Sequence, residues 1–196
     1  MRTIACLTLT LALVMPADAE AQRRGNAYRY NAYSFSPYAG AFMDAYDVEA
    51  DGSNVGWVAG FRAGYRESPR LNLNLNLAYA ETDDVGPHPV GDFALLDNQW
   101  VLLTAGADFA LVPGNTSIAL GADLGVGWLR TRFENGADVE ERPSWSTHDV
   151  VAPALILRHQ LTPRIGLYGS AQDYILDLLD GSAQHSPALT AGFVIR

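Results

Sequence analysis

From Phe35 onward the chain is written in alternating apolar and polar positions. In residues 71–80, Leu71, Leu73, Leu75, Leu77 and Tyr79 alternate with Asn72, Asn74, Asn76, Ala78 and Ala80. Side chains on a strand point to opposite faces in turn, so period two predicts a strand with one apolar and one polar or small face. Residues 55–66 repeat the pattern, with Val55, Trp57, Ala59, Phe61, Ala63 and Tyr65 against Gly56, Gly60, Arg62, Gly64 and Arg66. The pattern predicts eight strands, at 35–46, 55–66, 71–81, 99–112, 116–133, 148–161, 165–178 and 185–196. Three connections are tight and carry Pro or Gly: Glu67-Ser68-Pro69-Arg70, Pro113-Gly114-Asn115 and Thr162-Pro163-Arg164. Four are longer: 47–54, 82–98, 134–147 and 179–184. Short and long connections that alternate along an antiparallel meander put all tight turns at one end and all long loops at the other.

Side-chain size selects the face that points outward. The interior of an eight-stranded barrel is narrow and holds only side chains. The bulky apolar residues of these segments share one face, and Gly, Ala, Asn and a few charges share the other. The large residues are therefore expected outside, in hydrocarbon, and the expected fold is all-β: an eight-stranded antiparallel up-and-down transmembrane β-barrel. A spanning helix needs roughly 20 apolar residues, and the longest uncharged run after the leader, Gly181–Ile195, has 15 and includes Gln184, His185, Ser186 and Pro187. Aromatics mark two levels of the outward face, with Trp57, Tyr79 and Trp128 near the loop end and Tyr65, Phe109 and Phe193 near the turn end. Eight strand steps of about 3.3 Å separate Trp57 from Tyr65; at a tilt of about 40° they span roughly 20 Å, close to the ~25 Å apolar band of such barrels.

The first residues read differently. Met1-Arg2, an apolar run from Ile4 to Met15, Pro16 and Ala17-Asp18-Ala19 have the order of a secretory signal peptide. The predicted organisation is a signal peptide over 1–19, a short periplasmic tail over 20–34 and a barrel over 35–196. The one cysteine, Cys6, falls in the leader, so the exported chain has no disulfide.

Composition adds a charge of −9, from 13 basic residues, all Arg, against 22 acidic ones. That balance, with no long basic cluster, argues against a nucleic-acid partner. The charge is local. The four long connections hold twelve acidic residues against Arg142, whereas the turn end has Arg66, Arg70, Arg164 and Arg196 with Glu67. An acidic outer rim would repel lipopolysaccharide phosphates unless Mg²⁺ or Ca²⁺ bridged them.

The chain resembles the small eight-stranded outer-membrane β-barrels of the outer membrane protein A type. The resemblance rests on Ser36-Pro37-Tyr38-Ala39-Gly40, the strand, Ser-Pro-Arg turn and strand of 61–77, and the final Thr190-Ala191-Gly192-Phe193. It implies a Gram-negative cell-envelope location, insertion by the outer-membrane assembly machinery, contact with outer-membrane lipid and lipopolysaccharide, termini in the periplasm and long loops outside. Such barrels usually end in an aromatic residue, whereas this chain ends Phe193-Val194-Ile195-Arg196.

Four inward charges, Arg62, Asp108, Asp123 and Arg158, lie at similar distances from the tight turns. Unpaired buried charges are costly, so an Arg–Asp network is expected to plug the lumen together with Asn72, Asn74, Asn76, Ser170 and Gln172. Asp173 is the poorest fit to the alternation; it falls on the outward face, which places it at the loop-end interface or calls for a bulge. The histidines are His88, His148, His159 and His185, with Ser144, Ser146, Ser182 and Ser186 nearby. Some outer-membrane barrels of this size are lipid-A acyltransferases or deacylases, and His148 beside Ser146, with Asp149 or Glu141 at the loop end, resembles their layout, though the spacing carries little information. No HExxH, serine motif or Cys/His cluster is present, so no cofactor, metal or catalytic role is expected. The function expected is an envelope structural or surface-interaction scaffold. The alternatives are a narrow porin-like channel and, third, a lipid-A-modifying acyltransferase or deacylase.

Overall fold

A computed structural model describes residues 33–44, 54–83, 93–135, 138–141 and 145–196. These form β1 (Tyr33–Asp44), β2 (Asn54–Arg66), β3 (Leu71–Asp83), β4 (Phe93–Val112), β5 (Thr116–Asn135), β6 (Asp138–Glu141), β7 (Ser146–Gln160), β8 (Ile165–Leu176) and β9 (Gln184–Ile195). Every pairing is antiparallel. The order β4-β3-β2-β1-β9-β8-β7-β5 is closed by the β4–β5 pairing into an eight-stranded barrel, with β6 added beside β5 beyond the start of β7.

Local chemistry explains the turns. In Ser68-Pro69-Arg70-Leu71 the Ser68 hydroxyl accepts from the Arg70 and Leu71 N–H groups at 3.3 and 3.0 Å. Thr162 does the same for Arg164 and Ile165 at 3.3 and 3.0 Å. Pro at the next position supplies the fixed φ that a turn uses. The third turn holds Gly114 at φ 151°, a conformation that a side chain would resist.

The alternation assigns the faces as expected. Val55, Trp57, Phe61, Tyr65, Leu73, Leu75, Leu120, Leu124, Leu155, Leu157, Leu189 and Phe193 all point outward and are exposed. Most strand ends fall within two residues of the sequence pattern, β1 starting at Tyr33 inside the expected tail. The larger differences are that residues 93–98 continue β4 and that 138–141 form β6, where loops are expected. A register shift between Leu95 and Asp97 breaks the period there, and Arg-Thr-Arg-Phe-Glu-Asn at 130–135 has no apolar face to alternate with. The register sets Arg132 opposite Asp97 on β4 and Glu141 on β6; most of the long connections expected to form an acidic rim lie outside the described residues.

The lumen overturns one expectation. Bulky residues are not confined to the outward face: Tyr38, Phe42, Val58, Trp100, Leu102, Leu129, Val150, Ile156, Tyr168, Tyr174 and Leu176 are buried inside. They fit because inward glycines on neighbouring strands leave space. A Cβ on Gly127 would stand 3.0, 3.3 and 3.4 Å from Leu102, Val150 and Trp100, and one on Gly60 would stand 2.8 Å from the Tyr38 hydroxyl.

Candidate functional site

Toward the turn end, β2, β4, β5 and β7 project the four inward charges together. Arg62 Nη2 donates to Asp108 at 2.8 Å and to Asp123 at 3.1 Å, and Arg158 Nη2 donates to the other Asp108 oxygen at 2.5 Å. Asn72 and Asn74 donate to Asp108 at 3.1 and 3.3 Å, and Gln172 to Asp123 at 3.4 Å. The Arg158 guanidinium also lies 6.0 Å from the centre of the Tyr168 ring. Two residues grouped with this cluster on sequence grounds bond elsewhere. Asn76 accepts from the Tyr38 hydroxyl at 2.7 Å and donates to Thr104 at 3.4 Å, and Ser170 pairs with Thr190 at 2.7 Å.

The aromatic levels are made by neighbouring strands. Trp57 and Tyr79 lie 5.4 Å apart between ring centres, and Tyr65 lies 5.3 Å from Tyr33. Trp128 faces outward one residue before Leu129 turns in, while Phe109 and Phe193 are exposed on the outward face. Asp173 also points outward, with no register shift in the β8–β9 pairing, and accepts from the outward His185 at 2.7 Å. His159 bonds Thr116 at 2.7 Å on the outer surface near the turns.

The loop end holds a second buried network that the sequence pattern does not disclose. Asp44 accepts from Trp100 Nε1 at 2.8 Å, from Asn98 at 3.0 Å and from Ser186 at 3.4 Å. The Trp100 ring meets His148 edge-on at 5.3 Å. His148 points into the lumen and is buried. Its Nδ1 lies 2.8 and 3.0 Å from the two Asp177 oxygens, and its Nε2 lies 2.7 Å from Ser146 Oγ. The acid beside His148 is thus Asp177; Asp149 lies on the opposite face of β7, and its Oδ2 accepts from the Leu179 N–H at 3.2 Å. Asp149, Asp177 and Asp180 bring carboxylate oxygens within 4.8 Å of one another. His88, Ser144 and the side chain of Glu141 fall outside the described residues.

With barrel, lumen and outward apolar band in view, the comparison with solved structures is direct. Neisserial surface protein A superposes with a TM-score of 0.55 at 17% identity, over 83% of this chain and 95% of that one. The chain has the fold of the small eight-stranded outer-membrane β-barrels. A major outer membrane protein from Thermus thermophilus matches with a TM-score of 0.52 at 14% identity, over 84% of this chain and 99% of that one. OprG, an outer membrane protein of Pseudomonas aeruginosa, also gives 0.52 at 14% identity, over 84% and 95%. No family model and no curated protein matches the sequence.

Proposed function

We propose that the chain is an outer-membrane scaffold protein with a closed lumen, exported on the 1–19 leader, carrying a short periplasmic tail ahead of β1 and inserted by the outer-membrane assembly machinery. The observation that carries this reading is the filled interior. Arg62, Asp108, Asp123 and Arg158 cross-link its turn end, and Phe42, Trp100, Leu102, Tyr174 and Leu176 pack its loop end. A conducting porin needs a continuous aqueous path, and an eight-stranded wall has no room for one beside those side chains. The outward band of Leu, Phe, Tyr and Trp contacts lipid, and the loops meet lipopolysaccharide, with divalent cations bridging its phosphates to the acidic residues.

Planar-bilayer conductance tests this. The parent barrel is expected to give no stepped current. Asp108→Ala and Arg62→Ala open the turn end alone and are expected to remain silent, because the Phe42–Tyr174 packing, with ring centres 6.1 Å apart, is untouched. Reproducible single-channel steps from the parent would replace the scaffold with the porin-like alternative.

A further inference from the structure

We propose that Ser146, His148 and Asp177 form a hydrolytic triad at the loop-end rim of the barrel, acting on uncharged carboxylic esters that carry an apolar acyl chain. A serine nucleophile needs a base whose far nitrogen is held by a carboxylate, and triads are recognised by that geometry independently of chain order. Here Nδ1 faces Asp177 at 2.8 Å and Nε2 faces Ser146 Oγ at 2.7 Å. The Asp177 carboxylate accepts a hydrogen bond from Nδ1–H, which leaves the Nε2 lone pair directed at the serine hydroxyl.

Three further observations separate this arrangement from a histidine that is merely satisfied. Ser146 is exposed whereas His148 is buried, so the nucleophile faces solvent and its base does not. Among the described residues, Asp177 is the one non-glycine at positive φ, at 54°. The left-handed backbone, which a short polar side chain such as Asp tolerates, turns the carboxylate back onto the imidazole, and the Asp177 N–H is held to the Asp149 carbonyl at 3.1 Å. The imidazole is clamped from behind by Trp100, itself anchored to Asp44. The Leu129 carbonyl, 3.4 Å from Ser146 Oγ, is the more distant acceptor for the hydroxyl hydrogen, so the shorter contact to Nε2 at 2.7 Å holds it.

The surroundings define the substrate. Ser146 pairs in register with Leu129, one step beyond the outward Trp128 that marks the loop-end aromatic level. The hydroxyl therefore shares the inward face of β7 with His148 and lies at the loop-end mouth of the lumen, level with that aromatic ring. Trp145 precedes it, and Leu178 and Leu179 follow Asp177, the latter 83% exposed; these apolar groups suit an acyl chain. The carboxylates of Asp149 and Asp180 beside Asp177 repel an anionic group near the ester.

In the reaction, Ser146 Oγ bonds to the ester carbonyl carbon as its proton passes to His148 Nε2. The tetrahedral adduct expels the alkoxide, which takes that proton and leaves as alcohol. Water then attacks the acyl-serine, giving one proton to Nε2; the carboxylic acid departs and Ser146 regains its hydrogen. The net change is ester plus water to acid plus alcohol.

The test uses the full barrel folded in detergent micelles, with an alkyl fluorophosphonate and the p-nitrophenyl esters of acetate and hexanoate as probes. The expected result is one fluorophosphonate adduct, mapped by mass spectrometry to Ser146, and faster hydrolysis of hexanoate than of acetate. Ser146→Ala and His148→Ala are expected to abolish both, Ser182→Ala neither. Asp177→Asn is expected to slow turnover by 10²-fold or more, toward the roughly 10⁴-fold loss that the same change causes in the serine-protease triad, while heat-modifiable gel mobility shows the barrel intact. A folded parent that neither takes the label nor cleaves either ester overturns the proposal, as does labelling that survives Ser146→Ala. Either result leaves the closed-lumen reading standing, since that reading is judged by conductance.

Discussion

Asp108 is the side chain on which the turn-end network depends, and Asp108→Ala measures how much the barrel relies on it. The carboxylate is 1% exposed and accepts from Arg62, Arg158, Asn72 and Asn74. Removing one partner of a buried ion pair leaves an uncompensated charge in low dielectric, which costs about 3–5 kcal/mol. Two features draw the figure toward the lower bound. Arg62 keeps Asp123 at 3.1 Å, and the Arg158 side chain, 15% exposed, can carry its head toward water. The expected loss is therefore about 3 kcal/mol. Asp123→Ala forfeits the longer contacts from Arg62 and Gln172, at 3.1 and 3.4 Å, and leaves Arg62 its shorter partner; about 1–2 kcal/mol is expected there.

The assay is equilibrium urea unfolding of the barrel in lipid vesicles, followed both by tryptophan fluorescence and by heat-modifiable mobility, so that coincident curves license a two-state reading. A double-mutant cycle of Asp108→Ala with Arg158→Ala is expected to show a coupling of at least ~1 kcal/mol, because the two are in direct contact. The ordering matters more than the absolute value. If Asp123→Ala destabilises as much as Asp108→Ala, or if Asp108→Ala costs under about 1 kcal/mol, the charges are solvated independently and the lumen is wetter than its geometry implies.

Other outcomes follow from the same structure. Leu77 is opposite Phe61, midway between Trp57 and Tyr65, so Leu77→Arg is expected to lose about 2–4 kcal/mol in vesicles; Leu179→Arg, on the exposed β8–β9 connection, is expected to lose almost nothing by the same urea assay. Gly60→Val drives side-chain atoms into the Tyr38 hydroxyl and Leu77 carbonyl, at 2.8 and 2.4 Å from the added Cβ. A loss of about 1–3 kcal/mol is expected, and the tyrosine near-ultraviolet dichroism should change with it. Chelating Mg²⁺ and Ca²⁺ is expected to weaken retention of the barrel on lipopolysaccharide-containing vesicles in flotation, and unchanged flotation would remove cation bridging as the basis of loop–lipid contact.

Most of the wall is legible in the sequence because its information is local. Leu71 to Ala80 declares period two without reference to any other residue, and Ser68-Pro69-Arg70 and Thr162-Pro163-Arg164 carry their own turn chemistry. The pairing of Arg62, Asp108, Asp123 and Arg158 was also within reach, since inward parity and distance from a turn are properties of each strand alone. The filling of the lumen is not local. Leu102 packs inside opposite Gly127, whose missing Cβ would stand 3.0 Å from it, and that complementarity exists only once β4 and β5 are in register. The partition of Asn76 and Ser170 away from the charges is decided in the same way, by Tyr38 and Thr190 across the barrel.

The loop-end site shows where alternation stops being a guide. Ser146 and His148 are two apart on β7 and must share a face, whereas Asp149, though adjacent in sequence, must point the other way and cannot serve the same imidazole. An acid from another strand was therefore required by parity alone. Asp177 follows the end of β8, where strand parity no longer applies, and its left-handed backbone turns the carboxylate back onto Nδ1. The residue that completes the site is thus one whose direction depends on a left-handed φ in the turn after β8, a conformation Asp tolerates and local hydrogen bonds fix. Those bonds run to the Asp149 carbonyl on one side and the imidazole on the other. Asp177→Gly, which removes the carboxylate and suits the left-handed φ, should consequently be less destabilising than Asp177→Ala, which removes the carboxylate and strains that φ.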